Sequence, residues 1–243
     1  EGSLDVRTHW WAFGNRRINA MFFNDGYVEV ATQDRGVEYL NKRALDQNHV
    51  AGGFGYIDDG EAQWSTAYRE RPFGAVTTRR FGMGWAEASM EHRGIRMTRS
   101  LAAPPGTLPV LQSRVVLENI SDEAKTLSHY EVWDVARRPI EINWIVSGEV
   151  FTSAPKNARD ARDARNGMFV EQVRYQPNGD ILLVEREHAS DLTPPPLNAP
   201  NATDYYPGAP FLASLSGPPD AVYVDRARFF GDGGLAHPDA VTA

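Results

Sequence analysis

The stretch Ile95-Arg96-Met97-Thr98-Arg99-Ser100-Leu101 decides the fold class, because apolar residues recur at alternate positions along it (Ile95, Met97 and Leu101). Successive side chains of a β-strand point to opposite faces, so a period of two is typical of a strand with one buried face. The strand-like residues 79–89 and the turn His92-Arg93-Gly94 precede it, and Pro104-Pro105-Gly106 ends it. This pattern predicts consecutive antiparallel strands rather than helices.

The same kind of sequence continues on both sides of this stretch. Residues 18–30 are interpreted as two short strands across the turn Asn24-Asp25-Gly26, which is a strong hairpin signal. Residues 110–119 and 126–135 are further β-rich segments, separated by the turn Ser121-Asp122-Glu123. Short strands at this spacing are typical of a sandwich or barrel. We predict an all-β fold, a large antiparallel β-sandwich (a supersandwich) with few or no helices.

The last quarter of the chain differs in composition. Half of the 16 prolines fall between Pro194 and Pro219, and proline cannot donate a hydrogen bond to a sheet. Residues 190–220 are therefore predicted to form a long proline-rich loop, and residues 221–230 one more strand. Residues 1–243 are interpreted as a single domain, which a chain of this length allows for an all-β fold.

Composition and charge exclude several classes of protein. The chain has 243 residues, 32 acidic and 25 basic side chains, a formal net charge of −7 and no cysteine. The acidic balance argues against nucleic-acid binding, and no apolar run is long enough for a transmembrane helix. The lack of cysteine excludes disulfides, thiolate zinc sites and thiol nucleophiles. We expect neither a nucleic-acid nor a membrane partner, and a cytoplasmic rather than secreted location.

Few residues stand out as candidates for metal or phosphate chemistry. No two of the six histidines lie at metal-ligand spacing, so no metal site is predicted. Asp58-Asp59-Gly60-Glu61 has hard oxygen ligands suited to calcium, but it lacks the spacing of a calcium loop, which favours a hairpin tip. Gly52-Gly53-Phe54-Gly55 resembles a phosphate-binding loop only superficially, and a tight turn is the favoured interpretation.

The six tryptophans have two interpretations. Indole faces can stack on the C–H faces of pyranose rings, whereas a sandwich core also needs bulky inward aromatics. Core packing is favoured for each tryptophan taken singly, Trp85 included. Trp10 and Trp11 are a partial exception, because adjacent residues of a strand face opposite ways and at least one must face away from the core.

Several segments, taken in chain order, resemble a known pattern. They are Phe13-Gly14-Asn15 leading into the Asn24-Asp25-Gly26 hairpin, Gly55-Tyr56-Ile57-Asp58-Asp59-Gly60-Glu61-Ala62-Gln63-Trp64-Ser65, Arg80-Phe81-Gly82-Met83-Gly84-Trp85 with Glu91-His92-Arg93-Gly94-Ile95, Val115–Asp122 with Tyr130-Glu131-Val132-Trp133, and Asp225–Gly231 with Pro238-Asp239-Ala240-Val241. Together they resemble the N-terminal β-sandwich region of glycoside hydrolase family 94, which includes cellobiose and chitobiose phosphorylases and the phosphorylase-like part of cyclic glucan synthases.

The resemblance implies a large sandwich packed against a catalytic (α/α)6 barrel that carries the general acid and the phosphate site. No catalytic residue is therefore expected in this chain, and the sandwich is expected to lack its last strands. A second polypeptide or domain would supply those strands and the barrel, and the full assembly would be a homodimer. No cofactor is implied, with inorganic phosphate as co-substrate if the reaction is phosphorolysis.

One departure from the family concerns substrate contacts. The phosphorylases carry a Gln-Arg-Asn stretch where this chain has Ile142-Asn143-Trp144, which puts the usual acceptor sugar and phosphorolysis itself in doubt. Asn143 and Trp144 would contact a different sugar or aglycone, or would pack and bond locally, and the nearby Arg137 and Arg138 would contact an anionic group. The expected function is the sandwich part of an enzyme acting on β-glycosides by inverting phosphorolysis. The alternatives are a hydrolase or transglycosylase of the same fold, and a noncatalytic carbohydrate-binding or structural sandwich.

Overall fold

A computed structural model of the chain describes residues 9–32, 38–45, 49–135, 138–139, 143–146, 149–152, 169–188 and 209–242. The chain divides into two compact units, residues 1–138 with 225–243 and residues 139–224. Each unit is described by itself. The described residues form mostly antiparallel strands with two short helices, which confirms the predicted all-β, sandwich-like fold.

The first unit contains two sheets. The eight-stranded sheet follows the path β1-β2-β3-β4-β12, and β5 branches from β3 to pair with β6 and β11. The four-stranded sheet has the order β10-β9-β8-β7. The strands are β1 (Trp10–Gly14), β2 (Ile18–Phe23), β3 (Val28–Thr32), β4 (Glu38–Tyr39), β5 (Gly52–Asp58), β6 (Gln63–Ser65), β7 (Val76–Gly82), β8 (Trp85–His92), β9 (Ile95–Ala102), β10 (Gln112–Asn119), β11 (Ser128–Trp133) and β12 (Arg138–Pro139).

The hairpins predicted from local sequence are present. Strands β2 and β3 pair across the turn at Asn24-Asp25-Gly26, with Phe22 opposite Val28. The alternating stretch that begins at Ile95 is β9, which pairs with β8 on one side and β10 on the other. Asp58 ends β5 and residues 59–62 connect it to β6, as predicted for a hairpin tip.

The two sheets pack face to face and form a sandwich. Phe13, Phe22 and Val28 of the eight-stranded sheet share a buried cluster with Ala86 and Leu101 of the four-stranded sheet. A second cluster joins the sheets in the same way through Ile57, Trp64, Met90, Ile95 and Met97. The inward faces of the alternating strands therefore form the core, and the outward face of the four-stranded sheet is mostly polar, with Val76, Trp85 and Val116 as exposed apolar residues.

On the other face of the eight-stranded sheet, residues 225–242 pack against β5 and β11 and contain two short helices, α1 (Arg226–Phe230) and α2 (Asp239–Thr242). The prediction of a strand at residues 221–230 is therefore wrong. Asp225 caps α1 by accepting hydrogen bonds from the backbone amides of Ala227 and Arg228, as N-terminal caps do. Phe229 and Phe230 then bury against this face of the sheet, so the apolar pair belongs to a helix and not to a strand.

Strand β5 is buried on both faces, because it lies between the second sheet and the C-terminal segment. The interpretation of Gly52-Gly53-Phe54-Gly55 as a tight turn is wrong, since all four residues belong to β5. Gly53 has φ 72° and stands where β11 has no matching residue, which makes it a bulge. A Cβ at Gly52 or Gly53 would collide with Trp133 or Val28, so close packing requires glycine there.

The second unit, residues 139–224, contains a hairpin and a three-stranded sheet. The hairpin pairs β13 (Asn143–Val146) with β14 (Glu149–Thr152). The sheet pairs β15 (Phe169–Gln176) with β16 (Ile181–His188) and β16 with β17 (Phe211–Ala213). Of the predicted loop at 190–220, residues 190–208 lie outside the described residues, and β17 lies within the remainder. The single-domain interpretation of residues 1–243 stays a prediction.

Candidate functional site

A group of exposed apolar side chains lies at one end of the β7–β8 hairpin, and we call it the aromatic patch: Trp11, Phe81, Met83 and Trp85. The four side chains are exposed by 43%, 45%, 97% and 40% respectively. The rings of Trp11 and Phe81 are 5.9 Å apart, so β1 and β7 contribute to one surface. Phe81 and Trp85 point to opposite faces of the sheet, so the patch wraps around the end of the hairpin. Grouped exposed aromatic residues of this kind mark interaction sites more often than isolated ones do.

Trp85 is held in place by its cross-strand partner, Gly82. A Cβ added at Gly82 would come within 3.0 Å of the Trp85 indole, closer than real Cβ atoms approach, so the ring occupies the space of the missing side chain. The indole N–H of Trp11 donates to the carbonyl oxygen of Gly82 at 3.1 Å. The turn between the strands is Met83-Gly84, with Gly84 at φ 83°, a conformation that glycine adopts without strain. The patch is thus a preformed surface on a regular hairpin.

Polar side chains lie next to Trp85 on the outward face of the same sheet. Arg80 and Glu87 are directly opposite each other, as are Glu87 and Ser100, and Ser100 and Arg114. All four side chains lie on the same face as Trp85. Glu87 is two residues from Trp85 on β8, and residues two apart on a strand share a face. The other three are on that face because directly paired residues of antiparallel strands also share one. The Ser100 hydroxyl donates to Glu87 at 3.1 Å, and Arg80 lies 3.8 Å from the same carboxylate.

The combination of Trp85 with this row of charged and hydroxyl groups suits an amphipathic ligand. An indole offers a flat apolar surface, and side chains one row away offer donors (Arg80, Arg114) and an acceptor (Glu87). A pyranose ring has matching features, with apolar C–H faces and hydroxyl groups around its rim. The arrangement therefore offers the apolar surface and the polar groups that stacking on such a ring and lateral hydrogen bonding to it require.

A charged cluster lies between the two sheets, and its contacts indicate a structural role. Arg99 is 2% exposed and donates two hydrogen bonds to Glu131 of β11, at 2.5 and 2.6 Å. Ser113 and the indole N–H of Trp133 complete the cluster, bonding Arg99 and Glu131 respectively. Burial lowers the pKa of the neighbouring His129, and Arg99 adds to that effect although Glu131 opposes it. Arg99 thus ties the two sheets together by bonding β9 to β11.

A second cluster lies at the β2–β3 hairpin. The Tyr27 hydroxyl donates to Glu70 at 2.6 Å, and Arg43 pairs with Asp25 at 2.5 Å while lying over the Tyr27 ring. Burial raises the pKa of Glu70, and the Tyr27 hydroxyl and Arg43 only partly offset that effect. Burial likewise raises the pKa of Tyr27, assisted by its hydrogen bond to Glu70. These groups are bonded to one another, which indicates a structural role for the cluster.

The predicted substrate-binding residues fall in less fully described parts of the chain. Asn143 and Trp144 are consecutive residues of β13, opposite Thr152 and Phe151 of β14. Arg138 begins β12, and Arg137 lies outside the described residues. The roles of these four residues stay predictions.

The acidic tip at Asp58–Glu61 is internally bonded. Asp58 accepts the Gly60 amide, and Asp59 accepts the amides of Glu61 and Ala62 and a guanidinium hydrogen bond from Arg93 at 2.8 Å. Among the residues that the structure describes, no group of three or more potential ligands is placed to hold a metal ion. No helix within those residues is long and apolar enough to span a bilayer.

The structure distinguishes buried from exposed tryptophans, which the sequence alone could not do. Trp64 is 5% exposed and packs in the core, as favoured, whereas Trp85 is 40% exposed and the core interpretation is wrong for it. Trp10 and Trp11 are both exposed, in line with the expectation that at least one of them faces away from the core. Sequence reasoning did not identify Phe81 and Met83 or the polar row beside Trp85. The sequence signal for this surface was Gly82-Met83-Gly84-Trp85. In this stretch Gly84 indicates a hairpin turn, and Gly82, the cross-strand partner of Trp85, leaves room for the indole ring.

Comparison with known proteins adds no relative to this description. No protein-family model matches the sequence, and a search of curated proteins gives no significant match.

Proposed function

We propose that this chain is the carbohydrate-binding sandwich part of a carbohydrate-active enzyme that acts on β-glycosides. Catalysis would take place in an (α/α)6 barrel on a second polypeptide or domain, and the reaction would be inverting phosphorolysis. The substrate is an oligosaccharide or other glycoside, and the co-substrate is inorganic phosphate.

The observation that carries the proposal is the Trp85 surface. Trp85 is exposed, its ring is seated on Gly82, and Arg80, Glu87, Ser100 and Arg114 lie in the adjacent row of the sheet. A fixed aromatic ring requires little ordering on binding, which favours affinity. The polar row supplies the lateral contacts that distinguish one sugar from another.

The positions of the family-like segments also support the proposal. All five lie within the first unit, at the end of β1 with the β2–β3 turn, in the β5–β6 hairpin, in β7–β9, in β10–β11 and in the segment that contains α1 and α2. The segments therefore lie in one sandwich and in the C-terminal residues 225–242 that pack on it. A fold shared with the family's N-terminal sandwich would require this. This supports the resemblance at the level of architecture.

The chemistry of the proposed reaction follows the inverting scheme. A general acid on the barrel donates a proton to the glycosidic oxygen as the bond from the anomeric carbon to that oxygen breaks. A phosphate oxygen attacks the anomeric carbon from the opposite face, so the products are a sugar 1-phosphate and the released alcohol. In this scheme the sandwich binds and orients the glycoside through the Trp85 surface.

Calorimetric titration with β-linked glucose and N-acetylglucosamine oligosaccharides tests the binding step. We expect saturable binding that Trp85→Ala weakens at least tenfold, because the stacking surface is removed. Trp10→Ala is the matched control, since Trp10 is 58% exposed but lies outside the aromatic patch. Equal binding by the Trp85→Ala variant, or no binding to either series, would contradict the proposal.

The reaction itself is tested on the native assembly. Gel filtration and mass spectrometry should reveal a second catalytic polypeptide or domain, and β-glucoside cleavage should yield glucose 1-phosphate only when phosphate is present. Release of free glucose regardless of phosphate would favour the hydrolase or transglycosylase alternative. Sugar binding without a catalytic partner would favour a noncatalytic carbohydrate-binding sandwich, which the Trp85 surface also suits.

A further inference from the structure

Strand β10 is an open edge of the four-stranded sheet. It pairs with β9 over its whole length, from Gln112 opposite Ala102 to Asn119 opposite Ile95, without a bulge. Within the part of the chain that the structure describes, no strand pairs with its other side. Six of its eight residues are exposed, including Val116 at 41%. Such an edge presents unpaired backbone donors and acceptors to any compatible strand.

The two edges of this sheet differ in how they are protected. Strand β7, at the opposite edge, carries an inward-facing charge, Arg79, whose guanidinium lies over the Tyr68 ring. An inward-facing charge on an edge strand is one of the devices that prevent edge-to-edge pairing. The inward positions of β10 are Ser113, Val115, Leu117 and Asn119, none of which is charged, and the strand contains no proline. Strand β10 therefore lacks that protection.

The sequence of β10 is complementary to itself in one register. Antiparallel pairing of two copies centred on Val116 places Arg114 opposite Glu118 of the second copy, twice, on the outward face. The same register places Val115 opposite Leu117 on the inward face. We infer that two copies of this chain associate through β10 in this register, forming a continuous sheet from two four-stranded ones.

Other registers lose these pairings. A shift by one position of one strand would place outward residues opposite inward ones, which a sandwich with one buried face does not tolerate. A pairing centred on Val115 places Arg114 opposite Val116, and one centred on Leu117 places Glu118 opposite Val116. Neither brings the two charges together. Opposite charges directly across a strand pair stabilise it, and like charges destabilise it, so the Val116-centred register is selected.

The partner strand at this edge is therefore β10 of a second copy of this chain, because Arg114 of each copy then lies opposite Glu118 of the other. Arg114 is exposed and forms no ion pair with the described residues, whereas Glu118 already pairs with Arg96 at 2.7 Å. A second copy would give Arg114 a carboxylate partner and cover Val116. The inference names the interface of the proposed homodimer but does not use the carbohydrate proposal.

Cysteine crosslinking tests the register directly, because the chain has no cysteine of its own. Val116→Cys places two thiols opposite each other on the two-fold axis, where directly paired strand residues have Cα atoms within the range of about 4.4–6.8 Å that disulfides allow. With oxidised glutathione as oxidant, we expect a covalent dimer on non-reducing gels. Val76→Cys is the control, since Val76 is 60% exposed on the opposite edge strand and this variant should migrate as a single chain on the same denaturing gels. Equal crosslinking of the two variants, or no crosslinking of Val116→Cys, would overturn the inference.

A charge exchange tests the pairing of Arg114 with Glu118. Sedimentation equilibrium of the intact chain should give twice the 27.0 kDa chain mass at high concentration. Arg114→Glu should raise the dimer dissociation constant at least tenfold, and adding Glu118→Arg should restore much of the loss. Glu91→Arg is the control, because it removes the other ion pair of Arg96 away from the edge. A chain that is monomeric at all concentrations, or a dimer that Arg114→Glu leaves unchanged, would overturn the inference.

Discussion

The hydroxyl of Tyr56 donates a hydrogen bond to the carbonyl oxygen of Leu235 at 2.8 Å, across 179 residues of sequence. Tyr56 lies in the central strand β5, and Leu235 lies between α1 and α2. The side-chain amide of Gln63 makes a similar bond to the carbonyl oxygen of Val241, at 2.6 Å. The C-terminal segment is thus bonded to the sheet as well as packed against it, and it forms the third layer of the first unit.

Replacing Tyr56 with phenylalanine should destabilise the first unit by about 1 kcal/mol, because it removes the hydrogen bond and leaves the Leu235 carbonyl without that partner. Tyr56 is 1% exposed, so its ring remains buried in the variant. Urea denaturation of the variant and the parent chain measures the difference. Tyr39→Phe is the control, since the Tyr39 ring lies under Lys42 and keeps that contact as phenylalanine. Equal stability of Tyr56→Phe and the parent chain would contradict the structural role of the bond.

Removing the Phe230 ring should cost about 3–5 kcal/mol of unfolding free energy, the usual range for deleting a buried aromatic side chain. Phe230 is 8% exposed and contacts Phe229 edge-on at 5.0 Å. Phe73→Ala is a matched control, because the Phe73 side chain is fully exposed and its removal should change stability by less than about 0.5 kcal/mol. If removing the Phe230 ring changed the free energy of unfolding as little as Phe73→Ala does, residues 225–242 would not pack on the sheet as described.

Local patterns predicted the hairpins because turn and strand signals lie next to each other in the sequence. The pairing of β5 with β11 could not be predicted in this way, since it joins residues that are about 70 or more positions apart. Helix α1 has five residues, too few to show a helical period, although its cap Asp225 and the following Gly231 are ordinary helix signals. The apolar pair at its end was consequently assigned to a strand.

The candidate site was only partly predictable for a related reason. Alternation shows which residues share a face of a strand, but not which face another sheet covers. Trp64 and Trp85 are therefore indistinguishable in the sequence, although one is in the core and the other is exposed. Arg99 occupies an inward position that alternation assigns to an apolar residue, and its partner Glu131 lies on the other sheet.

The tip of the β5–β6 hairpin should make stability depend on pH. Partial burial alone would raise the pKa of Asp59, but the Arg93 guanidinium and the amides of Ala62 and Glu61 together hold it below its ordinary value of 3.8. The stabilisation by the carboxylate is therefore fully present above that ordinary value and is lost as the pH falls through the lower, folded-state pKa. Asp59→Asn should cost about 1–2 kcal/mol at neutral pH.

The difference between Asp59→Asn and the parent chain should shrink in acid, because the parent loses the same interaction when Asp59 becomes protonated. Thermal unfolding at neutral pH and at a pH below the ordinary aspartate pKa measures both effects. Asp122→Asn, an identical change at an exposed turn residue, controls for the general effect of removing a negative charge. A difference that stays constant with pH would contradict the proposed role of the Asp59 carboxylate.

Gly82→Ala should displace the Trp85 ring, because a Cβ at residue 82 would occupy the position of the indole. Overpacking of this kind typically costs about 1–3 kcal/mol. The Trp85→Ala variant removes the obstacle, so Gly82→Ala should cost much less in that background. The four proteins form a double-mutant cycle with an expected coupling energy of about 1 kcal/mol or more, measured by urea denaturation. Oligosaccharide titration of Gly82→Ala adds a functional readout, and binding should weaken because the ring has moved. Additive stability effects, or unchanged sugar binding by Gly82→Ala, would show that Gly82 does not position Trp85.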